Sequence, residues 1–263
     1  TYSFVFLKSC FVQDNLATYN SEQVVNWYDT YTDLMPVEKH VFEICFAGKK
    51  CGALLDVGIG AGRTTKFLVN YCEQYTGIDY SENLIRKAKL KFSDADLRCM
   101  NAADLSEFEN NRFDFVNFSF NGLDYATLTD RMKILLEINS VLKPGAIFFF
   151  STHNKNAFNF NQPPWLNKKN SRWVNIKTFL KLVPFLPRHF SNKRREVLNE
   201  DYAIINNCAH NYGLMTFHST AEFIKRQMES NHFCEVNFYS LEGKISDETS
   251  TDEWLFVVCK KAV

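Results

Sequence analysis

The run Leu54-Leu55-Asp56-Val57-Gly58-Ile59-Gly60-Ala61-Gly62 constrains this chain more than any other stretch. A short apolar strand ends at an acid, glycines follow at alternate positions, and a helix is expected to start at Arg63-Thr64-Thr65. Alternate glycines let the backbone turn sharply at a strand end and leave bare N–H groups open to a ligand. The Gly-Lys-Ser/Thr ending of a phosphate-gripping loop is absent. Tyr75-Thr76-Gly77-Ile78-Asp79 then reads as a second strand, ending in an acid 17 residues beyond Gly62. A carboxylate there accepts hydrogen bonds from both hydroxyls of a ribose held over the first turn.

The rest of the chain alternates in the same way. Strands are predicted at 53–57, 75–79, 97–100, 113–120 and 146–151, and helices at 36–47, 62–72, 82–92 and 129–142, with Ser81 capping the third. Such alternation makes a parallel sheet with helices on both faces. Ser219-Thr220-Ala221-Glu222 reads as a capping box opening a helix to about Asn231, and two strands near 234–241 and 254–260 follow. Four segments result: an aromatic N-terminal segment over the site (1–34), a nucleotide-binding core (35–154), an insertion (155–215), and a final helix with a hairpin (216–263). Insertions at the carboxyl ends of strands commonly form lids, so 155–215 is expected to be a helical lid.

Dinucleotide sites prefer G-x-G-x-x-G, with a pyrophosphate at the helix start. Here the spacing is Asp56-x-Gly58-x-Gly60-x-Gly62, and the acid stands where a pyrophosphate would be repelled. S-adenosylmethionine carries no phosphate and has a cationic ammonium, so it suits Asp56 better. Further segments agree: Asn101-Ala102-Ala103-Asp104-Leu105 after the third strand, Arg112–Asn121 at the fourth, and Val141-Leu142-Lys143-Pro144-Gly145-Ala146 before the fifth. On these motifs, over about residues 35 to 154, the chain resembles the class I S-adenosylmethionine-dependent methyltransferases. The resemblance implies a Rossmann-like, seven-stranded, mostly parallel sheet with an antiparallel last strand. S-adenosyl-L-methionine would be the cofactor and S-adenosyl-L-homocysteine the product. It further implies that Asp56, Gly58, Gly60 and Gly62 hold the methionyl part and that Asp79 takes the ribose hydroxyls. Tyr80 would lie against the adenine, Ala103 and Asp104 would meet its edge, and Ser119 and Asn121 would stand nearest the transferred methyl. The acceptor stays open, because one fold serves many of them.

Outside the resemblance, His153 and His210 are candidate general bases, since an imidazole titrates near neutral pH. Tyr19, Tyr28 and Tyr212, with Asn121, are candidates for the acceptor pocket. Arg63 is expected to answer Asp56 or solvent. The Asn161-Gln162-Pro163-Pro164-Trp165 run looks like the signature of base-modifying amino methyltransferases but falls after the fifth strand, where it reads as a loop turn.

Composition bounds the partners. No apolar run approaches the length of a membrane span. The opening Thr1–Lys8 lacks the basic region and cleavage site of a signal peptide. Eight cysteines without a C-x-x-C pair read as buried reduced thiols of a cytoplasmic protein, with no metal site. Net charge is zero, yet ten basic residues and no acid lie between Lys155 and Arg195, leaving −10 on the remainder. That asymmetry favours an anionic small molecule; the acidic remainder opposes an RNA track, DNA is not expected, and two prolines interrupt an amphipathic membrane helix. Nothing indicates an oligomer. The expected reaction is methyl transfer to an N or O nucleophile of a small anionic molecule, the alternatives being an RNA methyltransferase or a non-catalytic cofactor-binding subunit.

Overall fold

The computed structural model describes residues 15–263; Thr1–Lys8 and Cys10 lie outside them. Runs of buried apolar residues form five parallel strands: β1 (Cys51–Val57), β2 (Cys72–Asp79), β3 (Asp96–Cys99), β4 (Phe113–Phe118) and β5 (Leu142–Asn154). Their spatial order is β3-β2-β1-β4-β5. The chain steps outward from β1 to β3 and then returns to place β4 on the other side of β1. That reversal opens a crevice at the carboxyl ends of β1 and β4. Strand β11 (Trp254–Lys261) is antiparallel to β5, and β9 (Phe233–Tyr239) is antiparallel to β11. These seven strands follow the expected order and directions, but the sheet they belong to has eleven strands rather than seven.

Side-chain alternation sends neighbours to opposite cores. Leu55, Val116, Phe148, Phe150 and Val257 pack beneath Ile134, Leu135 and Ile138 of α5 (Leu128–Val141) and Ile224 and Met228 of α8 (Ala221–Ser230). Leu54, Phe115, Phe149 and Phe256 pack on Val37, Val41, Phe42 and Phe46 of α2 (Pro36–Phe46). The remaining helices are α1 (Glu22–Thr30), α3 (Thr65–Leu68), α4 (Glu82–Lys91), α6 (Arg172–Leu182) and α7 (Leu186–Lys193).

Several local expectations change. The helix predicted over 62–72 is the single turn α3, because Cys51 N–H bonds Tyr71 O and Cys72 already pairs with Cys51 as the start of β2. Helix α8 opens on Thr220, whose Oγ1 accepts from Phe223 N–H at 3.2 Å; Ser219 instead ends a strand, β8 (Thr216–Ser219). The longer β5 offers its end at His153–Asn154, and β8 pairs there in parallel. The insertion is therefore not wholly helical: β6 (Val197–Leu198) and β7 (Tyr202–Ile205) extend the sheet through β8. A short β10 (Ile245–Ser246) adds to β9 on the far edge. All seven described cysteines are free thiols, yet Cys99 and Cys234 are exposed, since they point outward from strands at the sheet margins. No helix among the described residues is long and apolar enough to cross a membrane.

Candidate functional site

The carboxyl ends of β1, β2 and β4 frame a cavity of about 550 Å³, within the ~300–1,000 Å³ usual for small-molecule sites. The N–H groups of Gly58 and Ile59 donate to Ile78 O at 2.8 and 3.1 Å, tying the glycine turn to the end of β2. Gly60 has φ +57°, and its N–H donates to Asp79 Oδ2 at 2.9 Å. Ser81 N–H donates to Asp79 Oδ1 at 2.8 Å. Each oxygen is thus gripped by backbone and keeps a further lone pair. Burial pushes the Asp79 carboxyl up to about 6, although the two backbone donors pull it down. The wall carries Gly58, Gly60, Asp79, Tyr80, Ala103, Ser119, Tyr19 and Tyr28, so these expected residues come together.

Others do not. Asp56 lies beneath the turn, fully buried and off the wall, accepting from Thr64 Oγ1 (2.6 Å), Tyr75 OH (2.8 Å) and Asn117 Nδ2 (2.6 Å). It braces three elements, and burial pushes its carboxyl up to about 6 against those three donors. Gly62 is also off the wall; a Cβ there would meet the Phe92 ring at 2.6 Å, so it serves the close packing of α4. Asp104 is exposed and accepts from the Ser106 hydroxyl at 2.7 Å. Asn121 is buried behind the wall, its N–H donating to Ser151 Oγ and its amide meeting His153 Nε2 at 3.3 Å. His153 faces Asp124, with Nδ1 2.8 Å from Oδ2. His210 sits outside the Tyr28 ring, 5.9 Å between centroids, where burial lowers its pKa. Tyr212 packs on His189 at 4.4 Å. Among the described residues, none from 155 to 215 lies on the wall.

Arg63 answers Glu38 rather than Asp56. Its Nη1 and Nη2 donate to the two carboxylate oxygens at 2.6 Å each, and Nη2 reaches Ser119 Oγ at 3.3 Å. Burial opposes the guanidinium charge, but Glu38 holds it ionised. Beyond β4 the chain takes Phe120 and Asn121 through φ +61° and +59°. That conformation costs about 1–3 kcal/mol per residue, and it sets the Phe120 ring 4.7 Å from the Arg63 guanidinium.

Three polar residues that sequence reasoning missed also line the wall: Tyr125, Thr127 and Asp130. Tyr19 touches Tyr28, Tyr80 and Tyr125 with ring centroids 5.9, 5.8 and 5.3 Å apart. Thr127 caps α5 and donates to Asp130 Oδ2 at 2.6 Å, a Thr-x-x-Asp spacing that was legible as a helix start. Glu38 and Arg63 stand 25 residues apart and give no local signal.

Residues 55–150 match the family model described as "Methyltransferase domain". The chain is similar to the demethylmenaquinone methyltransferase of Listeria monocytogenes serotype 4a, 31% identical over 46% of this chain and 48% of that protein. It is also similar to the ubiquinone biosynthesis O-methyltransferase of Chromobacterium violaceum, 28% identical over 52% of this chain and 62% of that one. The chain spans about half the length of the curated relatives it matches. An S-adenosylmethionine-dependent methyltransferase structure from Clostridium acetobutylicum ATCC 824 shares the fold, with a TM-score of 0.60 over 87% of this chain and 92% of that chain, at 13% identity.

Proposed function

We propose that the chain is a class I, Rossmann-like S-adenosylmethionine-dependent methyltransferase that methylates a hydroxyl or amine of a small, flat, largely apolar molecule. The observation that carries this reading is Asp79, held by two backbone N–H groups on the wall of the cavity beside the open Gly58–Gly60 turn. The residues fit the cofactor. Asp79 offers ribose acceptors, Ile78, Tyr80, Met100, Ala102 and Ala103 offer an apolar adenine slot, and the Tyr80 hydroxyl is buried with no partner among the described residues. Gly58 and Gly60 leave room for the methionyl group, and Ser119 stands at the end of β4. Bound there, S-adenosylmethionine supplies an electrophilic methyl group with a good leaving group behind it.

Tyr19, Tyr28, Tyr125 and Phe120 then form the acceptor side. Arg63, the only cation on the wall among the described residues, is neutralised by Glu38. The ten basic residues of 155–195 are absent from the wall, so an uncharged ring fits better than the anionic acceptor expected from composition. The two curated relatives named above carry quinone names, in keeping with such a ring. Residues 15–34 and 206–214 act as the cover: Tyr19, Val24, Val25 and Leu214 pack with Ala61 of the glycine turn and Leu84 of α4. Burial pushes the Tyr28 hydroxyl up to about 12, which makes it a neutral donor and not a base. Positioning and exclusion of water carry the step, and alignment alone supplies on the order of 7–11 kcal/mol. Free thiols at all seven described cysteines support a reducing, cytoplasmic setting.

The test is calorimetry with S-adenosylhomocysteine. Asp79→Ala should weaken binding by about 1.5–3 kcal/mol, the worth of hydrogen bonds to a charged group. Unchanged affinity in a folded variant removes Asp79 from the site. Binding without turnover of labelled S-adenosylmethionine on a panel of hydroxylated and amino rings would favour a non-catalytic subunit.

A further inference from the structure

Ten of the nineteen exposed large apolar side chains among the described residues fall between Leu166 and Leu198. They include Trp173 (74% exposed), Leu180 (62%) and Phe190 (62%). Helix α6 buries only Leu182, although it carries Trp173, Val174, Ile176, Phe179 and Leu180. An eleven-residue helix is below the ~12–15 residues at which isolated helices become even marginal in water. A helix this short and this apolar, standing out from the sheet, is best stabilised by a non-aqueous surface. Single exposed apolar residues are ordinary, but a concentration of this kind marks an interaction face.

The charge identifies the surface. The apolar residues are interleaved with Lys168, Lys169, Arg172, Lys177, Lys181 and Arg188, within a stretch of ten basic residues and no acid. The two prolines that spoil a single long amphipathic helix instead sit in the first turns of their own elements. Pro184 lies in the 3-10 turn Val183–Phe185 and Pro187 in α7, so the chain bends and both helices keep apolar and basic side chains outward. We propose that α6 and α7 form a docking face for an anionic lipid bilayer, with the apolar side chains entering the headgroup boundary and the lysines and arginines meeting lipid phosphates. A second copy would set like charges against each other. A nucleic acid would use the charges and leave the aliphatic side chains in water. The face lies beside the cavity cover: Arg188 Nη2 donates to Thr18 Oγ1 at 3.3 Å, Asn192 Nδ2 donates to Tyr212 O at 3.3 Å, and the nearby His210 ring packs on Trp27 and Tyr28. Docking would hold the aromatic rim of the cavity near the membrane.

Flotation of the whole chain with vesicles of phosphatidylcholine, with and without phosphatidylglycerol, tests it. Binding should require the anionic lipid, fall with salt, and blue-shift tryptophan emission, with quenching by brominated lipid that Trp173→Phe diminishes. Reversing Lys168, Lys169 and Arg172 to glutamate should weaken partitioning by at least about a hundredfold, since each cation near such a surface is worth about 1 kcal/mol. Leu180→Ser should weaken it without altering the salt dependence. These side chains are exposed, so unchanged circular dichroism and melting temperature confirm the fold of each variant. Three results would overturn the proposal: no flotation with phosphatidylglycerol vesicles, tighter binding to single-stranded RNA that survives Trp173→Ser, or a sedimenting dimer that Leu180→Ser dissolves.

Discussion

Asp79 illustrates how one buried carboxylate links pH to both stability and binding. Its folded pKa of about 6 lies above its ordinary value of 3.8 because burial disfavours the charge. A carboxyl raised in this way favours the folded state at low pH, and that contribution is lost as pH climbs through about 6. Asp56, also raised to about 6 chiefly by burial, acts in the same direction. With Asp79 in its proposed role as the ribose acceptor in ionised form, S-adenosylhomocysteine affinity should rise about tenfold from pH 5 to pH 7 as the competent fraction grows. Calorimetry at the two pH values checks this, and a flat profile would mean that Asp79 stays ionised throughout. The Glu38–Arg63 pair belongs to the same scale. Glu38→Ala leaves a buried guanidinium uncompensated and should cost about 3–5 kcal/mol in urea unfolding. Gly60→Val should abolish cofactor binding, because a branched side chain at φ +57° strains the turn and its Cβ reaches toward Tyr28.

Elements are joined at this site by polar side chains placed between them. Asp56 alone ties the start of α3, the strand β2 and the strand β4 through Thr64, Tyr75 and Asn117. A second knot, Asp124, accepts from Arg131 Nη1 at 2.8 Å and from the His153 backbone at 2.6 Å, joining the turn after β4 to α5 and β5. Helix α8 provides a clean comparison between pattern and geometry. Thr220→Ala removes the cap that accepts from Phe223 and should cost about 1 kcal/mol. Ser219→Ala should be neutral or slightly stabilising, because the Ser219 hydroxyl is buried with no partner among the described residues. Equal losses for the two variants in urea unfolding would restore Ser219 as the cap.

At the scale of the whole molecule, the sheet supplies the floor of the cavity, and side chains from the segment before α2 line it from above. Tyr19 and Tyr28 lie more than twenty residues before β1, yet they close the cavity over the glycine turn. Ligand binding should therefore quiet distant parts of the chain unequally. S-adenosylhomocysteine is expected to slow amide exchange in α1 and around Leu214, which pack on the cavity, while α6 and α7 keep their free-state rates. Uniform protection across α6 would instead assign that helix to the lid that its sequence position suggested.

What the sequence determined by itself is the part governed by neighbours along the chain. Strand, turn and second strand from Leu54 to Asp79 follow from short continuous apolar runs and from glycines that alone accept φ +57° and +89° without strain. The Ser81 cap follows from a hydroxyl three residues before the Leu84 N–H it accepts. Tertiary structure decided what those positions face. Asp56 and Gly62 sit at the expected spacing, but one braces strands from below and the other makes room for Phe92, so spacing located them without giving their work. Tyr125 joined the wall, Arg63 found Glu38, and the basic stretch left the cavity for the outer surface. Each of these outcomes depends on contacts between residues far apart in the chain, made when the sheet brings them together and burial makes an unmatched charge costly.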